Sequence, residues 1–218
     1  MPTATDSARR RVLAGGVAIV GATCLPARRA AGAPVRWGAA FAADVVLAAT
    51  WQDGARYFVG LLAAAGGRIA PVCEQELPSR AHGIVVEPQG TLLVVARRPG
   101  HWLVRFDPLR REVIDWFWGE GDHVFNGHVI RDSDGSRLFT TETALESGAG
   151  SIAVRHSTTL AVLDCWSCAG VDPHELLLGP DGGLWIANGG IETRPDASSI
   201  ALLRWIPRWC GSMRVAVG

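Results

Sequence analysis

Three histidines placed at one interval constrain this chain more than any other feature. His82 and His128 lie 46 residues apart, and so do His128 and His174. Each opens the same figure: "RAHGIVVEPQGTLLVVARRPG" from Arg80, "NGHVIRDSDGSRLFTTET" from Asn126 and "DPHELLLGPDGGLWIANGG" from Asp172. In every copy a short apolar run follows the His, then a turn, then a second apolar run. The turn glycines Gly90, Gly135 and Gly182 keep nearly the same step. A period in the forties, with short strands and a turn in each copy, is the sequence sign of a β-propeller with one four-stranded blade per repeat.

The strands follow from β-branched and Leu-rich runs of four to six residues bounded by Gly, Pro and Asp, with no helical periodicity over a comparable window. One blade takes Ile84 to Glu87, Leu92 to Arg97, Trp102 to Phe106 and Val113 to Trp118. The next takes Val129 to Arg131, Arg137 to Thr141, Ile152 to His156 and Leu160 to Cys165. A third supplies Glu175 to Leu178 and Leu184 to Ala187, after which regularity decays. Upstream, "DVVLAATWQDGARYFVGLL" reads as an earlier, less regular blade turning at Asp53-Gly54. Near-continuous apolar runs such as "LLVVA" are what strands buried on both faces require. The expected fold is thus all-β, a propeller incomplete in this chain, with about three to four blades visible. The expected partial propeller spans residues 34–200. The tail, 201–218, carries Trp205 and Trp209 beside Arg204, Arg208 and Arg214 and continues no blade, which suggests a truncated or frame-shifted end. An open arc would leave edge strands bare.

Antiparallel hairpin geometry sets the first residue of one strand beside the last of its partner. It places His82 next to Arg97, His128 next to Glu142 and His174 next to Asn188. Innermost strands line a propeller's channel, so these six side chains are expected at one mouth of it as a ligand-binding set. His82, His128 and His174 are the candidate metal ligands, imidazole favouring Fe, Cu or Zn. The paired Gly189 and Gly190 leave room for backbone to approach a ligand. The alternative is that each His only hydrogen-bonds a neighbouring strand, as repeat histidines often do.

Net charge is zero, which gives no electrostatic reason for a nucleic-acid or anionic-membrane partner. The apolar run Val12 to Leu25 is too short to span a bilayer, which needs about 20 residues. Before it stand Arg9, Arg10 and Arg11, then Val12 and Leu13; Ala31-Gly32-Ala33 follows as a cleavage-type triplet. Residues 1–33 therefore read as a twin-arginine signal segment, and the mature protein is expected in the periplasm with no stable membrane span. That route carries folded cargo, which permits a metal without requiring one.

Of five cysteines, Cys24 leaves with the signal segment, and "CWSC" at Cys165 to Cys168 lacks the βαβ context of a redox motif. In an oxidising compartment a local disulfide or adventitious pair is the expectation. No Ser-His-Asp arrangement and no nucleophile elbow is present.

The stretches "LPSRAHGI", "VVARRPG", "FNGH", "TTET", "GAGSIAV", "DPHELLLGPDG" and "IANGGIETRPD" resemble, in order and spacing, a bacterial family of exported seven-bladed propellers, domain of unknown function 1513. The resemblance runs from about Asp44 to Asp196. It implies a twin-arginine-type signal, an association with periplasmic iron acquisition and further blades beyond "ANGGI"; Cys165 and Cys168 are not part of the family pattern. The functional expectation is a periplasmic binding protein for a small ligand or transition metal, with room for a periplasmic protein partner. Two other classes stay open: a metal-assisted propeller enzyme, lactonase-like or an oxidoreductase, and a structural interaction scaffold.

Overall fold

"LLVVA" shows how the chain builds its core. In the computed structural model these residues form β5 (Leu92–Ala96), and all five are buried. Side chains of a strand alternate between its two faces. Leu92, Val94 and Ala96 accordingly pack with Val59, Leu61 and Trp102 on one side, while Leu93 and Val95 pack with Phe125, Val129 and Leu138 on the other. A strand apolar on both faces must lie inside a stack of sheets, which is how blades pack.

The structure describes residues 35, 37–119, 121–180 and 182–191, with the backbone of Arg208–Trp209. A single helical turn, α1 (Gly38–Phe41), leads into β1 (Val45–Asp53), β2 (Arg56–Ala65) and β3 (Arg68–Leu77), a three-stranded antiparallel meander. The second sheet runs β4 (Ala81–Val86), β5, β6 (Trp102–Asp107) and β7 (Glu112–Trp118). The third runs β8 (His123–Arg131), β9 (Arg137–Ala144), β10 (Gly150–His156) and β11 (Val162–Ser167). In the fourth, β12 (Pro173–Leu178) and β13 (Leu184–Asn188) are joined by the short β14 (Arg208–Trp209). This is an incomplete, propeller-like all-β fold. Neighbouring sheets are glued by three core clusters, the third centred on Phe139, Ile152, Leu176 and Ile186. The first strands of successive sheets, β1, β4, β8 and β12, contact one another along the inner edge.

Two differences from the sequence-based expectation matter. Ile69 to Leu77 belong to an additional strand, β3; most of its residues are exposed, so no strong apolar pattern marks it. The inner strands also begin earlier than their apolar runs, so that His82, His128 and His174 lie within β4, β8 and β12 and not ahead of them. Residues 1–33, expected as a signal segment, lie outside the described residues, as does the tail apart from the β14 backbone, which pairs Trp209 with Ala187 and Arg208 with Asn188. Among the described residues no helix is long and apolar enough to cross a membrane.

Candidate metal centre

Each repeat His occupies a fault in its ladder. In the second sheet Ala81 pairs with Ala96 and Gly83 with Val95, leaving His82 as an extra, unpaired residue. In the fourth, Pro173 pairs with Asn188 and Glu175 with Ala187, leaving His174. In the third, pairing resumes at Val129–Thr140 after Phe125–Glu142, so Asn126, Gly127 and His128 form a wider bulge. A bulge frees a residue from the ladder and re-aims its side chain. Three bulges at corresponding places on adjacent inner strands aim three imidazoles at one point.

The rings converge tightly. His82 Nε2 and His128 Nε2 stand 3.1 Å apart. Ring centroids are separated by 4.8 Å for His82–His128 and for His128–His174, and by 5.6 Å for His82–His174. One nitrogen from each ring lies within 4.8 Å of the others. Backbone glycines make this approach possible. A Cβ on Gly127, whose φ is +107°, would sit 2.8 Å from the His82 ring, and one on Gly83 would sit 2.5 Å from the Gly127 carbonyl oxygen.

Surrounding groups fix the rings and their charge. His128 Nδ1 lies 3.3 Å from Glu175 Oε1, which holds the Nδ1 proton and turns Nε2 toward the cluster. The backbone N–H of His128 donates to Thr141 Oγ1 at 3.3 Å. Buried Asn126 donates to Thr143 Oγ1 at 2.9 Å and to the Pro173 carbonyl at 3.2 Å, tying β8 to β12 beside the cluster. Arg98, from the loop after β5, pairs with the buried carboxylate of Asp172, two residues before His174. Burial pushes the His82 imidazole below its usual pKa, helped by His174, Arg97, Arg98 and Arg80. Burial also lowers His128, with His174 and His82 acting in the same direction and Glu175 opposing them. Imidazoles held neutral keep their lone pairs free for a metal. The Nδ1 atom of His174 is buried and has no hydrogen-bond partner.

The structure thus brings together three of the six residues expected at the mouth. Glu142 turns away: it shares a face of β9 with Leu138 and Thr140, between the second and third sheets, and accepts from Arg155 Nη2 and Thr140 Oγ1 at 2.6 Å each. Asn188 shares a face of β13 with Leu184 and Ile186 and meets Cys168, whose Sγ is 3.0 Å from its Oδ1. Arg97 is exposed and stands opposite Arg80, bonded through its N–H to the Arg80 carbonyl at 2.9 Å. Simple hairpin pairing requires an unbroken ladder. The bulges detach each His from that pairing, and the alternation of β9 and β13 sends the opposite residues between blades. Arg80, Asn126 and Asp172 were not foreseen from the sequence, although they recur at the same interval as the histidines and two positions before each. Among the described residues Cys73 and Cys165 are free thiols, Cys165 exposed, so Cys165 forms no disulfide with the buried Cys168.

Fold and site define a propeller-like repeat protein with a histidine cluster on its inner edge. The chain belongs to the family described as Protein of unknown function (DUF1513), which it matches over residues 75–202. No curated protein matches it. Similar solved structures include Kuenenia stuttgartiensis hydrazine synthase, 16% identical with a TM-score of 0.47, covering 64% of this chain and 42% of that one. A protein from Lactobacillus plantarum is 10% identical with a TM-score of 0.49, over 70% and 50% of the two chains. A protein of unknown function from Bacteroides caccae is 11% identical with a TM-score of 0.40, over 70% and 57%. The chain therefore spans about half the length of these structures.

Proposed function

We propose that this protein binds a divalent transition metal through His82, His128 and His174, as a periplasmic binding protein exported by the twin-arginine route. The observation that carries the reading is the convergence of three imidazole nitrogens within 4.8 Å from three separate repeats. Three neutral imidazoles crowded without a metal repel as they protonate and hydrate poorly; a cation between them turns each lone pair into a bond. An all-imidazole set suits Zn, Cu or Fe(II) better than Ca or Mg. Three protein ligands leave a coordination position open, the arrangement of sites that exchange a ligand. Glu175 fits the outer carboxylate that metal-bound histidines recruit. The family resemblance adds iron acquisition as the setting.

The test is metal content after equilibrium dialysis of the purified protein against Zn(II), Cu(II) and Fe(II), the last without oxygen. One equivalent is expected for the native chain, and loss of about 100-fold or more in affinity for His82→Ala and His128→Ala. Substoichiometric metal in the native protein, or unchanged affinity in both variants, refutes the proposal.

A further inference from the structure

Beside His82 a cleft of about 300 Å³ opens between the first sheet and β4, walled by Thr50, Trp51, Tyr57, Arg80 and His82 itself. That volume is at the lower end of the range for small-molecule sites. The wall on the β1–β2 side supplies the aromatic rings of Trp51, Tyr57 and Phe58, with a hydroxyl on Thr50 and the phenol of Tyr57. Arg80 stands on the opposite wall, and Arg97 and Arg98 add positive potential at His82 from outside the cleft. Only Arg98 is neutralised, by Asp172. Among the described residues the guanidiniums of Arg80 and Arg97 have no hydrogen-bonding or ion-pair partner, and Arg80 faces the cleft.

This charge pattern is at odds with a site for a bare dication. A metal at the three imidazoles would add two positive charges to a rim where Arg80 and Arg97 are uncompensated, and the carboxylate set against the cluster, Glu175, is already engaged with His128 Nδ1 and the Leu176 N–H. Coulomb repulsion between such charges is reduced, not abolished, by water at an open edge. An anionic oxygen donor removes the conflict, since one carboxylate can fill the open coordination position while another engages Arg80 in the bidentate geometry that guanidinium prefers. We propose that the cleft beside His82 takes a small polycarboxylate, held by Arg80 and coordinated to the metal on the three histidines, so that the metal is bound as its anionic chelate. The inference rests on the metal reading above for its second contact and on the cleft and Arg80 for its first.

Citrate serves as the probe, with Co(II) as a metal whose visible spectrum reports its ligands. Dialysis of labelled citrate against the protein is run with and without one equivalent of Co(II), and inorganic phosphate is run in parallel. The expected result is a ternary complex with changed Co(II) absorption, citrate affinity at least about tenfold higher with metal than without, and phosphate binding weakly. Arg80→Gln should weaken citrate by about tenfold and at the same time strengthen Co(II) binding measured without citrate, because a nearby positive charge is gone. A variant that had merely lost structure would weaken both. Arg110→Gln, on an exposed turn, should alter neither. Citrate that only strips Co(II) from the protein, citrate bound equally by Arg80→Gln, or phosphate bound as well as citrate overturns the proposal while leaving the metal reading in place. If no Co(II) binds but citrate binds to the metal-free protein through Arg80, the metal reading falls and the anion cleft stands.

Discussion

Ionisable side chains do opposite things in two places in this molecule. Between the second and third sheets Glu87 is fully buried and accepts from Arg105 Nε at 2.7 Å and Nη2 at 3.1 Å, from Arg131 Nη1 at 2.7 Å and from Thr91 Oγ1 at 2.7 Å. Arg105 directs its remaining donors to the carbonyls of Ser157 and Thr158. Nearby, Arg155 lies over the Phe117 and Phe125 rings, 4.1 and 4.9 Å from their centroids, and each of its guanidinium nitrogens donates, to Glu142, Thr140 and the Leu160 carbonyl. Every charge there has its partner, so these networks are clasps between blades. On the inner edge the charges are not matched: three imidazoles face one another, His174 Nδ1 is buried without a partner, and Arg80 and Arg97 are unpaired among the described residues. Satisfied buried charge holds a fold together, whereas convergent unsatisfied charge is what a ligand completes.

Breaking a clasp should therefore injure stability and leave the rim's chemistry alone. Glu87→Gln keeps the shape but strands the Arg105 guanidinium, which is only 6% exposed, without its anion. Loss of one partner of a buried pair costs about 3 kcal/mol or more. Denaturant unfolding of the metal-free protein should register that loss, while the folded fraction still takes up one equivalent of Co(II). A loss under about 1 kcal/mol would mean that solvent reaches the pair and that the clasp is no tighter than the rim.

The contrast also shows what could be foreseen from residues alone. Blade hairpins were legible because burial on both faces writes itself as unbroken runs such as Leu92 to Ala96. The convergence of His82, His128 and His174 was legible because a repeat that stacks side by side must bring equivalent positions together. The partners were not. Glu142 was expected at the rim, and the alternation of β9 carries it to Arg155; the hidden step was the bulge at residues 126–128, which displaces His128 against its partner strand. Gly127 gives the only local sign of that bulge, and a glycine beside a histidine does not by itself require one. Arg80 and the cleft were hidden for a different reason: the Trp51 and Tyr57 wall belongs to an irregular blade with no His to mark it.

Gly127 offers a way to disturb the rim without touching a clasp. With φ at +107°, any side chain there is strained, and a methyl would meet the His82 ring at 2.8 Å. Gly127→Ala should destabilise by about 1–3 kcal/mol and, by displacing an imidazole, lower Co(II) affinity by about tenfold. Gly182→Ala sharpens the comparison. Its φ is +80°, yet an added Cβ meets nothing within 4 Å. It should show strain of similar size in thermal unfolding and unchanged Co(II) affinity. Equal loss of metal in both variants would mean that general loosening, and not the fit of His82 against the bulge, governs the site.

The smallest expected effect separates the two regions by pH. His82 and His128 have folded pKa values below the ordinary imidazole value of about 6.5, burial being the first cause in each. When pH falls through that value the unfolded chain takes up these protons before the folded one does. Protonation then favours unfolding, so stability of the metal-free protein should decline from about pH 7 downward and level off once the folded imidazoles are charged as well. The drop should stay below about 1 kcal/mol, because His82 is only partly withdrawn from solvent, which screens the repulsion. His82→Ala combined with His128→Ala should flatten the curve in that window, and Glu87→Gln should shift it downward without changing its slope there. An unchanged slope in the double histidine variant would place the proton uptake elsewhere, and the crowding of the three rings would then carry no energetic tension for a metal to relieve.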